Sequence, residues 1–404
     1  GLQGLFNLKT SNFGEYGGDF LLNYRKGNAN VYLGGDYRHS PYPGELSSER
    51  RTTVGDTTTI IEAAGDSERI RGGGGLRMGL DWDITPRNSL SIGLRAGEYK
   101  SLGSSSLDYL TYRDPFDYET PELSLNESGR GARYYNLTGS FLHNFGQKDH
   151  ELMLQVNQRF RKGDEFSENL LQDETGSVNQ GTRTTEKGPS SQLEVKLDYT
   201  KPIGENNGLE AGFQLRSGTS EDATELFVYD LDEQDFILQP DKTNFTVYNR
   251  NIYALYGIFK GEYGKLGYQA GIRGEYTDRT ISAEESIEDY TLERYDFFPT
   301  LHLSYQFSDK NQLMASYSRR IDRPRGWYLE PFITWTDMYN VRQGNPDLKP
   351  EYIDAMELGY IHTREKSQLS LEGYYRIKHN KVERTREVYE EGILLQSVTK
   401  VGTE

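Results

Sequence analysis

Seven short turn signals and six long polar stretches alternate along this chain without exception, and few folds tolerate that order. The turns fall at residues 26–28, 86–88, 146–149, 203–207, 263–265, 308–311 and 364–367. The polar stretches lie between them, at 40–68, 102–131, 164–189, 220–249, 280–294 and 322–350. The flanking segments repeat with period two. In "QLEVKLDYT", Leu193, Val195, Leu197 and Tyr199 alternate with Glu194, Lys196, Asp198 and Thr200. That period describes a strand with one apolar and one polar face. "TLHLSYQF", "SLSIGLRAG", "GLEAGFQLRSG" and "SQLSLEGYYRIK" read the same way, and no segment carries a helical stripe. The pattern predicts an all-β, antiparallel architecture of about fourteen strands paired as seven hairpins.

A soluble sandwich or propeller does not sort its connections into short ones at one end and long ones at the other. A transmembrane β-barrel does. The bilayer supplies the reason, because every backbone polar group must be paired there and only closure removes unpaired edges. Composition fits a barrel better than the alternatives. A hydrophobic fraction of 34% invites a disordered reading, but 30 Tyr and 17 Phe argue against it. No run of about 18 apolar residues forms a membrane helix. A net charge of −16 excludes nucleic acid as a partner, since its phosphates need a basic surface. Phe145, Tyr199, Tyr263 and Phe307 sit at or just before four short turns, as an aromatic belt at the headgroup level requires.

No catalytic constellation stands out, so no enzyme is expected. His39, His143, His150, His302, His362 and His379 show no metal-ligand spacing, and no cofactor motif is present. With no cysteine there is neither a disulfide nor a thiolate site. The acidic run "DLDEQD" (230–235) lacks the glycine and distal glutamate of a calcium loop and reads as solvated. Four consecutive glycines, Gly72 to Gly75, predict a bend or bulge in a strand rather than a ligand approach.

Two stretches point to function. The loop 322–350 concentrates Trp327, Tyr328, Phe332, Trp335 and Tyr339 with Arg323, Arg325 and Arg342. Exposed aromatics with arginine mark recognition surfaces. Trp327, Tyr328, Trp335 and Arg342 are the candidate ligand-binding residues, and the plainer reading is that these rings pack together to stiffen the loop. The loop ends in "GNPDLKPEY". Gly344 is free to take positive φ, and Asn345 is pushed to extended geometry by Pro346. Leu348 offers an apolar anchor, and Pro350 opens a strand at Glu351 without needing an N–H. Such a segment fixes where a long loop returns to the wall.

"RQGNPDLKPEYIDAMELGY" resembles the G-N-P-x-L-x-P-E segment of TonB-dependent outer-membrane receptors. "SYSRRIDRPRGWYLEPF" is similar to the matching stretch of the subgroup in which a carboxypeptidase-regulatory-like domain and a plug precede the barrel. "GLQGLFNLKT" is similar to the last strand of that plug. The resemblance implies that residues 1–12 end a plug and that 13–404 form part of a 22-stranded barrel in a Gram-negative outer membrane. "SVTKVGTE" lacks the terminal aromatic usual in such barrels, so the chain reads as a fragment of a longer one. The implied function is nutrient import across the outer membrane. The implied partners are outer-membrane lipid, TonB through a region before this chain, and a surface lipoprotein or other outer-membrane subunit. The alternative is a non-transporting, receptor-like barrel that serves as scaffold or subunit of an outer-membrane complex.

Overall fold

The structure, a computed structural model, describes residues 1–114, 119–284, 288–324, 326–337, 340–390 and 393–403. Among the described residues nineteen strands form one sheet. They are β1 (Leu2–Thr10), β2 (Tyr16–Lys26), β3 (Ala29–Val54), β4 (Thr57–Thr85), β5 (Asn88–Asp114), β6 (Glu119–Asn144), β7 (Glu151–Gln172), β8 (Val178–Ile203) and β9 (Asn207–Asp230). β10 (Asp235–Leu238), β11 (Asn244–Tyr263), β12 (Leu266–Ala283), β13 (Tyr290–Ser308), β14 (Asn311–Asp322), β15 (Ile333–Asp337) and β16 (Asn340–Gln343) follow. β17 (Glu351–Arg364), β18 (Ser367–Glu390) and β19 (Ile393–Thr403) complete the series. All seven short turns separate strands as expected, and the fourteen strands they join are the fourteen read from the sequence. The other five are β1, β19 and three short strands inside the long connections.

Each long strand pairs antiparallel with its neighbour from β1 to β9, then through β11, β12, β13, β14, β17, β18 and β19. Residues directly opposite share a face, so the ladder fixes the sides. One face carries Leu154, Leu197, Phe213 and Leu255, each opposite the next. These residues are partly to largely exposed, and Leu255 keeps 68% of its surface. Apolar residues left bare over a whole sheet face are oriented toward lipid. The opposite face is polar. Lys196, next to Leu197, pairs with Asp198 at 2.8 Å.

Aromatics mark the height of the apolar band. Tyr253, Tyr276 and Tyr295 lie side by side across three strands, with ring centroids 6.3 and 4.9 Å apart. Tyr253 precedes Tyr263 by ten residues, and the same interval separates Tyr295 from Tyr305 and Tyr135 from Phe145. Ten residues of strand span about 33 Å, or about 25 Å once tilted as barrel strands are. That is the height of a lipid-facing band between two girdles. Near the short turns, Phe145 stacks on His150 at 4.3 Å and meets Tyr199 edge-on at 6.2 Å.

Two expectations change. The polar stretches at 40–68, 102–131 and 164–189 are mostly strand, not loop. β3 and β4 stay in register from Ala29 opposite Trp82 to Val54 opposite Thr57. Beyond the upper girdle both faces meet water, so the apolar alternation stops while backbone pairing continues. Second, the glycine run makes no bulge. Gly72 to Gly75 pair one-to-one with both neighbours. A Cβ on Gly73 would lie 2.4 Å from the Glu98 carbonyl oxygen and one on Gly74 would lie 2.6 Å from that of Asp36, so the glycines allow close backbone packing.

Candidate functional site

The loop between β14 and β17 does not stand out into solvent. It folds inward as a one-turn 3-10 helix (Gly326–Leu329) followed by the β15–β16 hairpin. β16 then pairs in parallel with β19, Asn340 opposite Leu394 through Gln343 opposite Ser397. On the other side, Thr184 of β8 donates to the Trp335 carbonyl at 3.0 Å. β8 and β19 are far apart in the sheet order, so the wall curls around this loop. The side that meets the loop is therefore the inner side.

Burial explains why the loop holds this position. Leu329 and Leu348 pack with Ile281 of β12 and Val398 of β19, all 4% exposed or less, with Trp327, Tyr328, Tyr248 and Tyr290 around them. Val341 is wholly buried. The GNPDLKPE segment is the seat of the loop. Gly344 does not use positive φ, contrary to expectation. Its role is steric, because a Cβ there would lie 2.1 Å from the Trp327 carbonyl oxygen. Asn345 N–H donates to the Tyr328 carbonyl at 2.7 Å, and its Oδ1 accepts from Asp347 N–H at 2.9 Å. The Pro346 carbonyl accepts from buried Arg279 at 2.7 Å. The Pro350 carbonyl accepts from Asn380 Nδ2 at 3.2 Å, and Glu351 accepts from Val382 N–H at 2.6 Å. The rigidity of this segment thus comes from packing and from hydrogen bonds to β12 and β18.

The candidate ligand-binding residues fall into two groups. Trp327 and Tyr328 meet edge-to-face at 4.8 Å, with the Arg342 guanidinium 5.9 Å from the Trp327 ring. Trp335 lies apart, capped by Lys242 Nζ at 5.2 Å. Phe332 is buried, and Arg323 is bonded to Glu275 and Thr277. Arg325 and Tyr339 lie outside the described residues. Sequence reasoning missed Arg384 of β18, which covers both rings of the first group and donates to the Tyr328 hydroxyl at 2.8 Å. It also missed Lys242, Glu186 and Asp222. These come from segments distant in sequence, and only the fold brings them to the loop.

Arg342 is the hub. It pairs with Glu186 of β8 at 3.3 Å and with Glu330 at 3.5 Å. Asp222 of β9 lies against Glu186, within reach of the Arg342 and Glu330 charges. Burial first, then the Glu186 charge, pushes the Asp222 carboxyl up to about 8. Burial pushes Glu330 up to about 7, opposed by Arg342 and reinforced by Glu186. Asp222 stands seven residues beyond Leu215, which lies opposite girdle residue Tyr253, so the cluster sits past the lipid band. Among the described residues no group of three metal-binding side chains converges. Asp230 of the acidic run instead accepts the N–H groups of Asp232 and Glu233 at 2.9 and 3.0 Å, closing its own turn.

Known structures share this architecture. The copper transporter OprC is similar with a TM-score of 0.64 at 12% identity, over 99% of this chain and 57% of that one. FpvAI, solved with pyocin S2, gives 0.57 at 11% identity, over 98% and 52%. The hemophore receptor HasR of Serratia marcescens, solved with its hemophore HasA and heme, gives 0.56 at 13%, over 99% and 59%. At such identities the likeness is one of fold. The chain spans little more than half the length of these proteins. No curated protein sequence matches it. Residues 143–404, well over half of the chain, match the outer membrane protein beta-barrel family. With its lipid-facing band and its infolded loop, the chain is an outer-membrane protein and belongs to that family.

Proposed function

We propose that this chain is the barrel part of a receptor that captures a nutrient at the cell surface and passes it inward, energised by TonB. In this reading residues 1–12 end a plug domain, and the long connections face outside. The short turns then face the periplasm. The supporting observation is the inward loop. It carries the aromatic and arginine side chains of the chain's richest recognition segment to the inner side of the wall, where a solute entering the barrel would pass. The similarity in fold to outer-membrane transporters is in keeping with it. A scaffold role in an outer-membrane complex does not call for recognition groups turned inward.

The test needs no named substrate. A strain lacking the full-length gene is competed against its parent on media limited in turn for chelated iron, vitamin, peptide or glycan. A growth defect on one medium is expected. Trp335→Ala and Arg342→Ala should each reproduce part of it, weakening capture by about 1 kcal/mol or more while surface levels hold. No defect on any medium, with the protein present at the surface, overturns import and leaves the scaffold.

A further inference from the structure

Between the inner wall of β4–β8 and the β15–β16 hairpin lies an open cavity of about 680 Å³. Four cationic side chains face it, Arg69, Arg71, Arg130 and Arg342, against two carboxylates, Glu165 and Glu186, while Lys100, next to inward Ser101, projects from the other face of its strand. The surplus of two positive charges stands inside a chain of net charge −16. Both carboxylates are already engaged. Glu165 pairs with Arg130 at 3.4 Å and Glu186 with Arg342 at 3.3 Å. Arg71 lies over the Tyr42 ring at 5.6 Å, and among the described residues neither Arg69 nor Arg71 meets a carboxylate.

The ladder sets these cations side by side on one face. Arg71 is opposite Ser101, which is opposite Arg130, so all three project from one face. Two strand spacings separate Arg71 from Arg130 by about 10 Å, and Arg69 lies about 7 Å along the strand from Arg71. Further down the same inner face, Arg77 stands directly opposite Arg95. Like charges in that relation repel. Asp36 reaches Arg95 at 3.7 Å, but no carboxylate meets Arg77 among the described residues. A guanidinium fork binds carboxylate or phosphate oxygens in pairs, and Trp335 offers a flat apolar wall at the hairpin side of the cavity.

We infer that this cavity binds a small solute bearing two or more carboxylate or phosphate groups, held between Arg69, Arg71 and Arg130 and flanked by Trp335. This names the ligand class for the receptor function proposed above and rests on that reading. The cavity volume suits a small molecule. The site opens on the inner side of the wall, away from the lipid-facing side, so a free solute and not a lipid headgroup is the occupant. The Arg77–Arg95 pair below it extends the positive path down the wall.

The experiment uses the purified full-length protein in nanodiscs, titrated calorimetrically with tripolyphosphate and with tricarballylate, and with trehalose as a neutral probe. At least one anion should bind, with an affinity that falls as salt rises from 20 to 300 mM, and trehalose should not. Arg69→Gln combined with Arg71→Gln should weaken anion binding tenfold or more. Arg216→Gln, which removes an inner arginine paired with Glu194 outside this cavity, should leave it unchanged. Heat-modified migration on gels reports whether each variant still folds. Equal anion binding in the double variant, or in trehalose and anion alike, overturns the site, as does no binding of either anion. The outcome is separable from the growth competition. Anion binding that depends on Arg69 and Arg71 in a protein without any growth defect keeps the site and removes import.

Discussion

Lys196 and Leu197 are adjacent in sequence and face different solvents. Leu197 sits in the lipid-facing row between Leu154 and Phe213, whereas Lys196 pairs with Asp198 on the inner side. Leu197→Arg should therefore cost about 2–4 kcal/mol in folding titrations into lipid vesicles. Lys196→Leu should cost less than about 1 kcal/mol, because it removes only a half-exposed ion pair. Equal losses would overturn the assignment of faces. This distinction was legible from period two alone. Gly344 was not, since its reason lies in the Trp327 carbonyl, seventeen residues upstream but in contact. Sequence exposes periodicity well, but it conceals which distant backbone a glycine must admit.

At the scale of elements, the seven hairpins were readable because turn residues and alternation coincide. The upper halves of β3–β8 were not readable, because strands wetted on both faces lose the alternation that announces them. The β15–β16 hairpin was hidden for a further reason, since its partners Thr184, Glu186 and Asp222 belong to β8 and β9. Its attachment carries a pH signature. Asp222 and Glu330 titrate above their ordinary range when the hairpin is docked, so the docked form holds protons that the released form gives up. The stabilisation from those protons is complete below about pH 4 and is lost as pH rises through about 7 to 8. Amide exchange in β16, corrected for its intrinsic rate, should accelerate several-fold between pH 6 and 9. Asp222→Asn should flatten that rise. Protection that stays constant across this range in the native protein would show that the carboxyl cluster does not govern docking.

For the molecule as a whole, the two ends of the sheet are distinct in kind. One end is made of tight turns beside aromatic rings, and the other of tall polar ribbons. The chain has no cysteine, so single cysteines report topology cleanly. Ser177→Cys and Asp232→Cys should react with an impermeant reagent on intact cells, and Gln147→Cys should not. Labelling of Gln147→Cys alone would invert the orientation. The parallel pairing of β16 with β19 has a consequence in time. Its partners are about fifty residues apart in sequence, and β17 and β18 must be laid down between them. Closing so long a stretch carries an entropic cost that only a nearly finished wall repays. The infolded loop is thus among the last parts to find its place, and refolding kinetics should show the wall forming before Trp327 and Trp335 reach their final surroundings.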